Sequence, residues 1–218
     1  MDDEGQLAAL EARLRAESGG GFAHRRLVSD AEPAELAELL GEPGHPLWAR
    51  ELAAFRLGLA GDGRAFEPLV LLLNHRDAPR CASAAYALAR LGDPRTGRAA
   101  AALATNELRV GYALHPVRLL VALRAPEAVP ALVTVLERRL AADRDPHREI
   151  ALACVEGLGA LGDPRARDVL GRARDSGRQE LAAAARAALR ALQAEGGEEA
   201  ADAAGAGAGG PAEGAGRT

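Results

Sequence analysis

Apolar residues recur along this chain at the spacing of amphipathic helices, with short polar turns between them. Leu36, Leu39 and Leu40 form one apolar face, and Leu88 and Leu91 close another. Residues spaced by three or four positions share one side of a helix. The pattern therefore predicts a series of helices from about residue 30 to residue 192.

One short turn recurs between these helices. Its clearest copies are Leu91-Gly92-Asp93-Pro94-Arg95 and Leu161-Gly162-Asp163-Pro164-Arg165. Glycine favours the left-handed conformation that ends a helix, aspartate can cap the next helix, and proline suits a first helical position. With weaker copies at Gly61 and Arg124, the turn recurs after 31, 32 and 38 residues. Such a period, with two helices per unit, predicts an α-solenoid.

Five helix pairs are predicted. Their expected bounds are 30–40 with 46–60, 64–73 with 80–91, 95–105 with 109–123, 127–140 with 148–161, and 165–174 with 179–192, with Asp30 as the first cap. Pro116 is expected to kink or split the second helix of the third pair, because a proline inside a helix removes a hydrogen bond.

The two ends of the chain differ from the repeats. Residues 1–28 are expected to form a capping helix and a linker, with a loosely attached arm as the alternative, and residues 29–194 form the repeat domain. The Gly/Ala-rich tail, 195–218, has no apolar periodicity and is expected to be disordered. Its five acidic residues and one arginine account for the net charge of −4, so the repeat domain is nearly neutral.

The helix-and-turn text, above all RCASAAYALARLG at residues 80–92, resembles HEAT repeats. It is most similar to the short repeats of phycobilin-lyase-like proteins, and the resemblance covers about residues 30–192. It implies an all-α fold, a right-handed, armadillo-like α-α superhelix. In arrays of this kind the second helix of each pair lines the concave side.

The concave side is the candidate binding surface, and we expect a protein partner there. Trp, Tyr and Arg are enriched where binding energy concentrates. The residues expected to contact the partner are Trp48, Phe55, Tyr86, Arg90, His115, Arg118 and Glu156. For the first two, packing under the N-terminal helix is an equal alternative.

Signals of catalysis are sparse. Cys81 and Cys154 lie in apolar helical text about two repeats apart, and we expect them to be buried thiols. The residues His24, His45, His75, His115 and His147 lack the spacing of metal ligands. Asp62, Asp93 and Asp163, each followed two positions later by arginine, are interpreted as structural caps. We therefore expect no enzyme activity, no cofactor and no metal.

The sequence thus predicts a non-catalytic scaffold or adaptor. The alternative is an enzyme-associated HEAT protein, bilin-lyase-like or acting on nucleic acid as base-excision enzymes do. A nearly neutral repeat domain argues against nucleic acid, because phosphate contacts dominate such affinity. An acidic start and the lack of a long apolar run predict a cytoplasmic protein with no membrane span. All basic residues except histidine are arginine, which is typical of a high-GC bacterial genome.

Overall fold

The computed structural model describes residues 2–29, 31–42 and 44–206. These ranges contain twelve α-helices and no strand, so the all-α prediction is confirmed. The helices are α1 (Asp3–Ser18), α2 (Phe22–Ser29), α3 (Pro33–Gly41), α4 (Leu47–Leu59), α5 (Phe66–Leu73), α6 (Ala78–Leu91), α7 (Thr96–Thr105), α8 (Leu114–Ala122), α9 (Ala128–Ala141), α10 (Arg148–Leu161), α11 (Arg167–Arg174) and α12 (Gln179–Ala206).

The last ten helices form five pairs in two layers. The second helices α4, α6, α8, α10 and α12 contact one another in chain order, and so do the first helices α5, α7, α9 and α11. Each pair buries its apolar faces against its neighbours, which is the arrangement of a solenoid. The right-handed sense of the superhelix remains a prediction.

The recurrent turn has the predicted conformation. Gly92 follows α6 at φ 67°, and the carboxylate of Asp93 accepts a hydrogen bond of 2.9 Å from the backbone N–H of Arg95. The Arg95 guanidinium returns to the same carboxylate at 2.7 Å. Gly61 and Gly162 both have φ 73°. The structural interpretation of the Asp–Arg turns is thus confirmed.

The third pair corrects one expectation. Its second helix, α8, begins at Leu114 rather than at residue 109, after a 3₁₀ turn at Glu107–Arg109. Pro116 is therefore the third residue of α8, where an N–H has no partner within the helix. The predicted kink or split at Pro116 is wrong, because this position tolerates proline.

The N-terminal region has two helices where one was expected. The second, α2, lies between Gly21 and Asp30, and Asp30 itself lies outside the described residues. In α1, Leu10 and Leu14 are buried and Leu7 packs against the core. Helix α1 contacts α4 and reaches α6 through its side chains. It therefore lies along the side of the array, neither on its end alone nor as a free arm.

The last helix is longer than expected. Helix α12 continues to Ala206, whereas disorder was expected from residue 195. Alanine and glutamate have high helix propensity, and extending an existing helix avoids the cost of nucleation. Residues 207–218 lie outside the described residues, and their disorder remains a prediction.

Candidate partner-binding surface

The second-helix face is the surface of α4, α6, α8, α10 and α12 that points away from the first helices. Its N-terminal part is covered by α1. Tyr86 Oη donates a hydrogen bond of 2.6 Å to one Asp3 oxygen, and Arg90 Nη2 lies 2.8 Å from the other. At the far end of α1, Arg80 Nη2 lies 2.5 Å from Glu17. Helix α1 therefore runs antiparallel to α6.

A buried network of charges lies beneath α1. Glu51 of α4 is only 1% exposed, and its carboxylate is paired with both Arg13 of α1 and Arg80 of α6. Ser83 Oγ donates to the same carboxylate at 2.9 Å. A buried charge is strongly destabilising without a partner. With Glu17, the network holds two acids and two bases, so it is neutral.

The aromatic residues of the surface are part of the packing below α1 and α2. Phe55 is 1% exposed, and its ring stacks on Tyr86 with centroids 6.2 Å apart. The Trp48 ring is half-buried, 5.6 Å from the ring of His24. For Phe55 and Trp48 the structure therefore has the alternative arrangement, packing under the N-terminal helices. Phe55 is too deeply buried here to touch a partner.

Tyr86 and Arg90 do lie on the second-helix face, but Asp3 of the same chain already engages both. The hydrogen bond from Tyr86 lowers the pKa of Asp3, and the same bond raises the pKa of Tyr86. A carboxylate is thus the group that this part of the face binds. The sequence pattern did not indicate that the chain itself supplies it.

The C-terminal part of the face is open. Arg118 of α8 and Glu156 of α10 are both exposed, and they line one groove of about 300 Å³. The floor between them consists of small and aliphatic residues: Val121, Ala122, Ala153, Gly157 and Ala160. His115, one turn before Arg118, is half-buried, and burial together with the charge of Arg118 lowers its pKa.

A second groove, of about 630 Å³, lies on the other side of α10, at the N-terminal ends of α10 and α12. Leu152 and Leu181 contribute apolar surface, and Arg148 and Arg178 are among its polar residues. None of these four residues was predicted from the sequence. Because the grooves flank α10 on its two sides, this helix is the centre of the open surface.

Two charged residues of the buried network, Glu51 and Arg80, were not identified from the sequence. Each is a charged residue among the apolar residues of a second helix. Such a residue signals a buried partner, because charged side chains are rarely buried alone. The sequences of α4 and α6 therefore contained the signal that could have identified Glu51 and Arg80.

Both cysteines are buried, as expected. Burial raises the pKa of Cys154 to about 12, and it also raises the pKa of Cys81. Both groups are thus thiols rather than nucleophilic thiolates at neutral pH. Within the described residues, no group of three or more His, Cys, Asp or Glu side chains could hold a metal ion. None of the helices described there is both long and apolar enough to cross a membrane.

Residues 150–176 match the family model of the PBS lyase HEAT-like repeat. The match begins in α10, crosses the Gly162 turn and continues past the end of α11. This part of the chain is similar to a HEAT-like repeat. The matched unit therefore joins the second helix of one pair to the first helix of the next. No curated protein matches the chain.

Proposed function

We propose that this HEAT-like repeat protein is a non-catalytic scaffold or adaptor that binds a protein partner on its second-helix face. The observation that carries the proposal is the open groove between α8 and α10. There Arg118 and Glu156 flank a floor of small side chains. Small residues let a partner's backbone or helix approach closely, and the two rim charges can set its orientation.

The charges of the groove favour a polypeptide over nucleic acid. A rim with one arginine and one glutamate is complementary to a segment that carries both signs of charge. The charges of nucleic acid are all negative phosphates, and its affinity for a protein depends on clustered basic residues. Extended faces of stacked repeats are suited to binding polypeptides.

Affinity capture from an extract of the native cells tests this proposal. The baits are the full chain and its Arg118→Glu and Glu156→Arg variants. Arg98→Glu, on the exposed surface of the first helix α7, is the matched control. We expect the full chain and the control to retain the same protein at moderate and high salt. Each groove variant should retain at least about tenfold less of this protein, because the reversed charge then faces a like charge on the partner.

Equal retention by the groove variants would contradict the proposal. Nucleic acid retained only at low salt would favour the nucleic-acid alternative, since that affinity falls steeply with salt. A coloured or ultraviolet-absorbing small molecule that copurifies would favour a lyase-like role, the activity named in the matching repeat family.

A further inference from the structure

We infer that the α4–α6 part of the second-helix face is a receptor for an acidic amphipathic helix of a protein partner. Helix α1 is the exchangeable occupant of this receptor within the chain. The inference rests on the proposed function, and it gives the chemistry of a partner segment. It concerns a part of the face distinct from the groove at Arg118 and Glu156.

Helix α1 shows what the receptor recognises. Its contacts include those of Asp3, Leu10, Arg13, Leu14 and Glu17. Two leucines four residues apart fill the centre, and a carboxylate lies near each end. This is the pattern of a helix that binds a groove through apolar anchors, with charges setting its direction. A partner helix with two acids, two leucines and one arginine at the same spacing fits the same contacts.

The receptor is complete without α1. Glu51 and Arg80 are paired with each other across α4 and α6, and Ser83 bonds the same carboxylate. Removing α1 therefore takes away Arg13 and Glu17 but leaves no unpaired charge buried in the array. The site is built from the two second helices themselves.

The N-terminal end of α1 and its connection to α2 suit exchange, whereas Arg13 pairs with the buried Glu51. At the N-terminal end of α1, Asp3 forms an exposed ion pair with Arg90. The Asp3 side chain is 38% exposed and the Arg90 side chain is 54% exposed. Exposed pairs of this kind hold weakly and are screened by salt. The connection to α2 runs through Gly19, Gly20 and Gly21, the first two at φ 71° and 64°. A three-glycine connection gives the helix freedom to leave and return.

An empty receptor would expose apolar surface. Leu10 and Leu14 of α1 are buried in the core and cover apolar surface of the array. Loss of α1 would bring this apolar surface towards water, which is unfavourable. The favoured event is therefore replacement of one helix by another rather than simple release.

A trans-binding experiment on the full chain tests the inference. The probe is a labelled synthetic peptide of residues 2–18, and binding is followed by fluorescence anisotropy. In the Leu14→Asp chain, the buried anchor of α1 is lost and the receptor becomes available. We expect this chain to bind the peptide about tenfold or more tightly than the unaltered chain, in which tethered α1 competes.

Ala12→Asp is the matched control. It adds the same charge to the same helix, but at an exposed position. This chain should bind the peptide as weakly as the unaltered one. A peptide that carries Leu14→Asp should not bind. Adding Arg90→Glu to the Leu14→Asp chain should lower its affinity for the peptide. A peptide that carries Asp3→Arg should restore binding to this chain.

A second released chain guards against misfolding. Asp3→Arg with Glu17→Arg repels α1 from Arg90 and Arg80 while both leucines remain, and circular dichroism checks the helical content. Failure of both folded released chains to bind the peptide would overturn the inference. Equal binding by all chains, including Ala12→Asp, would also overturn it. A dimer of the unaltered chain that the peptide dissociates would assign the receptor to a second copy instead.

The two proposals fail separately. Arg118→Glu should leave peptide binding by the Leu14→Asp chain unchanged, because Arg118 lies in the other groove. Loss of peptide binding with retained capture at Arg118 and Glu156 would refute the receptor alone. Retained peptide binding together with equal protein capture by the Arg118 and Glu156 variants would refute the proposed function of the open groove and support the α4–α6 receptor alone.

Discussion

The left-handed residue after a second helix is the most repeated local feature of this protein. At Gly92, φ is 67°, and nothing lies within 4 Å of an added Cβ. Gly92→Ala should therefore cost only backbone strain, and we expect it to lower the free energy of unfolding by about 1 kcal/mol. Chemical denaturation measures this value.

Gly171→Ala is the control for that change. Gly171 lies inside α11, also with open space around an added Cβ, and its φ is not positive. Alanine should stabilise the chain there by about 0.5–1 kcal/mol, because glycine is unfavourable inside a helix. Equal effects at Gly92 and Gly171 would show that the left-handed conformation carries no cost.

Arg124 occupies the same left-handed position with a side chain, at φ 46°. Its guanidinium donates to the carbonyl oxygens of Ala160 and Leu161 at 3.2 and 3.3 Å. Arg124→Ala and Arg124→Gly both lose these bonds, but only glycine relieves the strain. We expect the glycine variant to be more stable than the alanine variant by about 1 kcal/mol in urea unfolding. Equal stability of the two would contradict this account.

At the scale of the element, the network beneath α1 joins three helices. Glu51→Ala leaves two arginines, Arg13 and Arg80, with Glu17 as the one acid that both contact, so the network carries an excess positive charge. We expect it to lower the free energy of unfolding by about 3–5 kcal/mol, because breaking a buried pair strands a charge. The measurement is denaturant unfolding followed by circular dichroism.

The matched change is Glu137→Ala, which breaks the exposed pair between α9 and α11 formed with Arg172. Exposed pairs contribute at most about 1 kcal/mol, so this variant should remain close to the unaltered chain. A loss at Glu51 as small as that at Glu137 would mean that water enters the network.

Close approach of α8 and α10 depends on one glycine. A Cβ at Gly157 would lie 2.5 Å from Val121 Cγ2 and 2.9 Å from Leu132 Cδ2. Gly157→Ala should therefore destabilise the chain by about 1–3 kcal/mol, since overpacking forces neighbouring helices apart. Adding Val121→Ala should recover part of the loss in the same unfolding measurement. No recovery would mean that Val121 is not the obstacle.

Helix pairs could be predicted from the sequence because their information is local. The Gly92 and Gly162 turns and the apolar spacing between them fix most helix ends within a few residues. Helix α2 was missed because Phe22–Ser29 follows three glycines and carries a mixed apolar and basic pattern. The start of α8 was misplaced because no strong capping residue precedes Leu114, so Pro116 was interpreted as interior.

At the scale of the whole molecule, the position of α1 was not predictable. The spacing of Leu10 and Leu14 indicates that one side of α1 is buried, but not which surface buries it. That depends on Tyr86, Arg90 and Glu51, which are 38 to 87 residues away along the chain from the α1 residues that they contact. Consequently the predicted surface was one continuous face, whereas the structure divides it into a covered half and an open half.

The stacking of pairs gives the two buried cysteines a use as internal probes. Cys81 lies in α6, which pairs with the first helix α5. Cys154 lies in α10, which pairs with the first helix α9. Because each pair contacts only its neighbours, damage should remain near its origin. Leu136→Ala in α9 should raise the alkylation rate of Cys154 about tenfold more than that of Cys81, since such core truncations favour local opening.

Leu69→Ala in α5 is the mirror experiment, because Leu69 and Leu136 are both fully buried leucines of first helices. It should expose Cys81 in preference to Cys154, and pulsed alkylation with mass spectrometry distinguishes the two thiols. If both substitutions accelerated both thiols equally, the array would open as one cooperative unit. A reciprocal pattern would instead locate the opening in single pairs, so that a partner on the open half could leave the α1 receptor undisturbed.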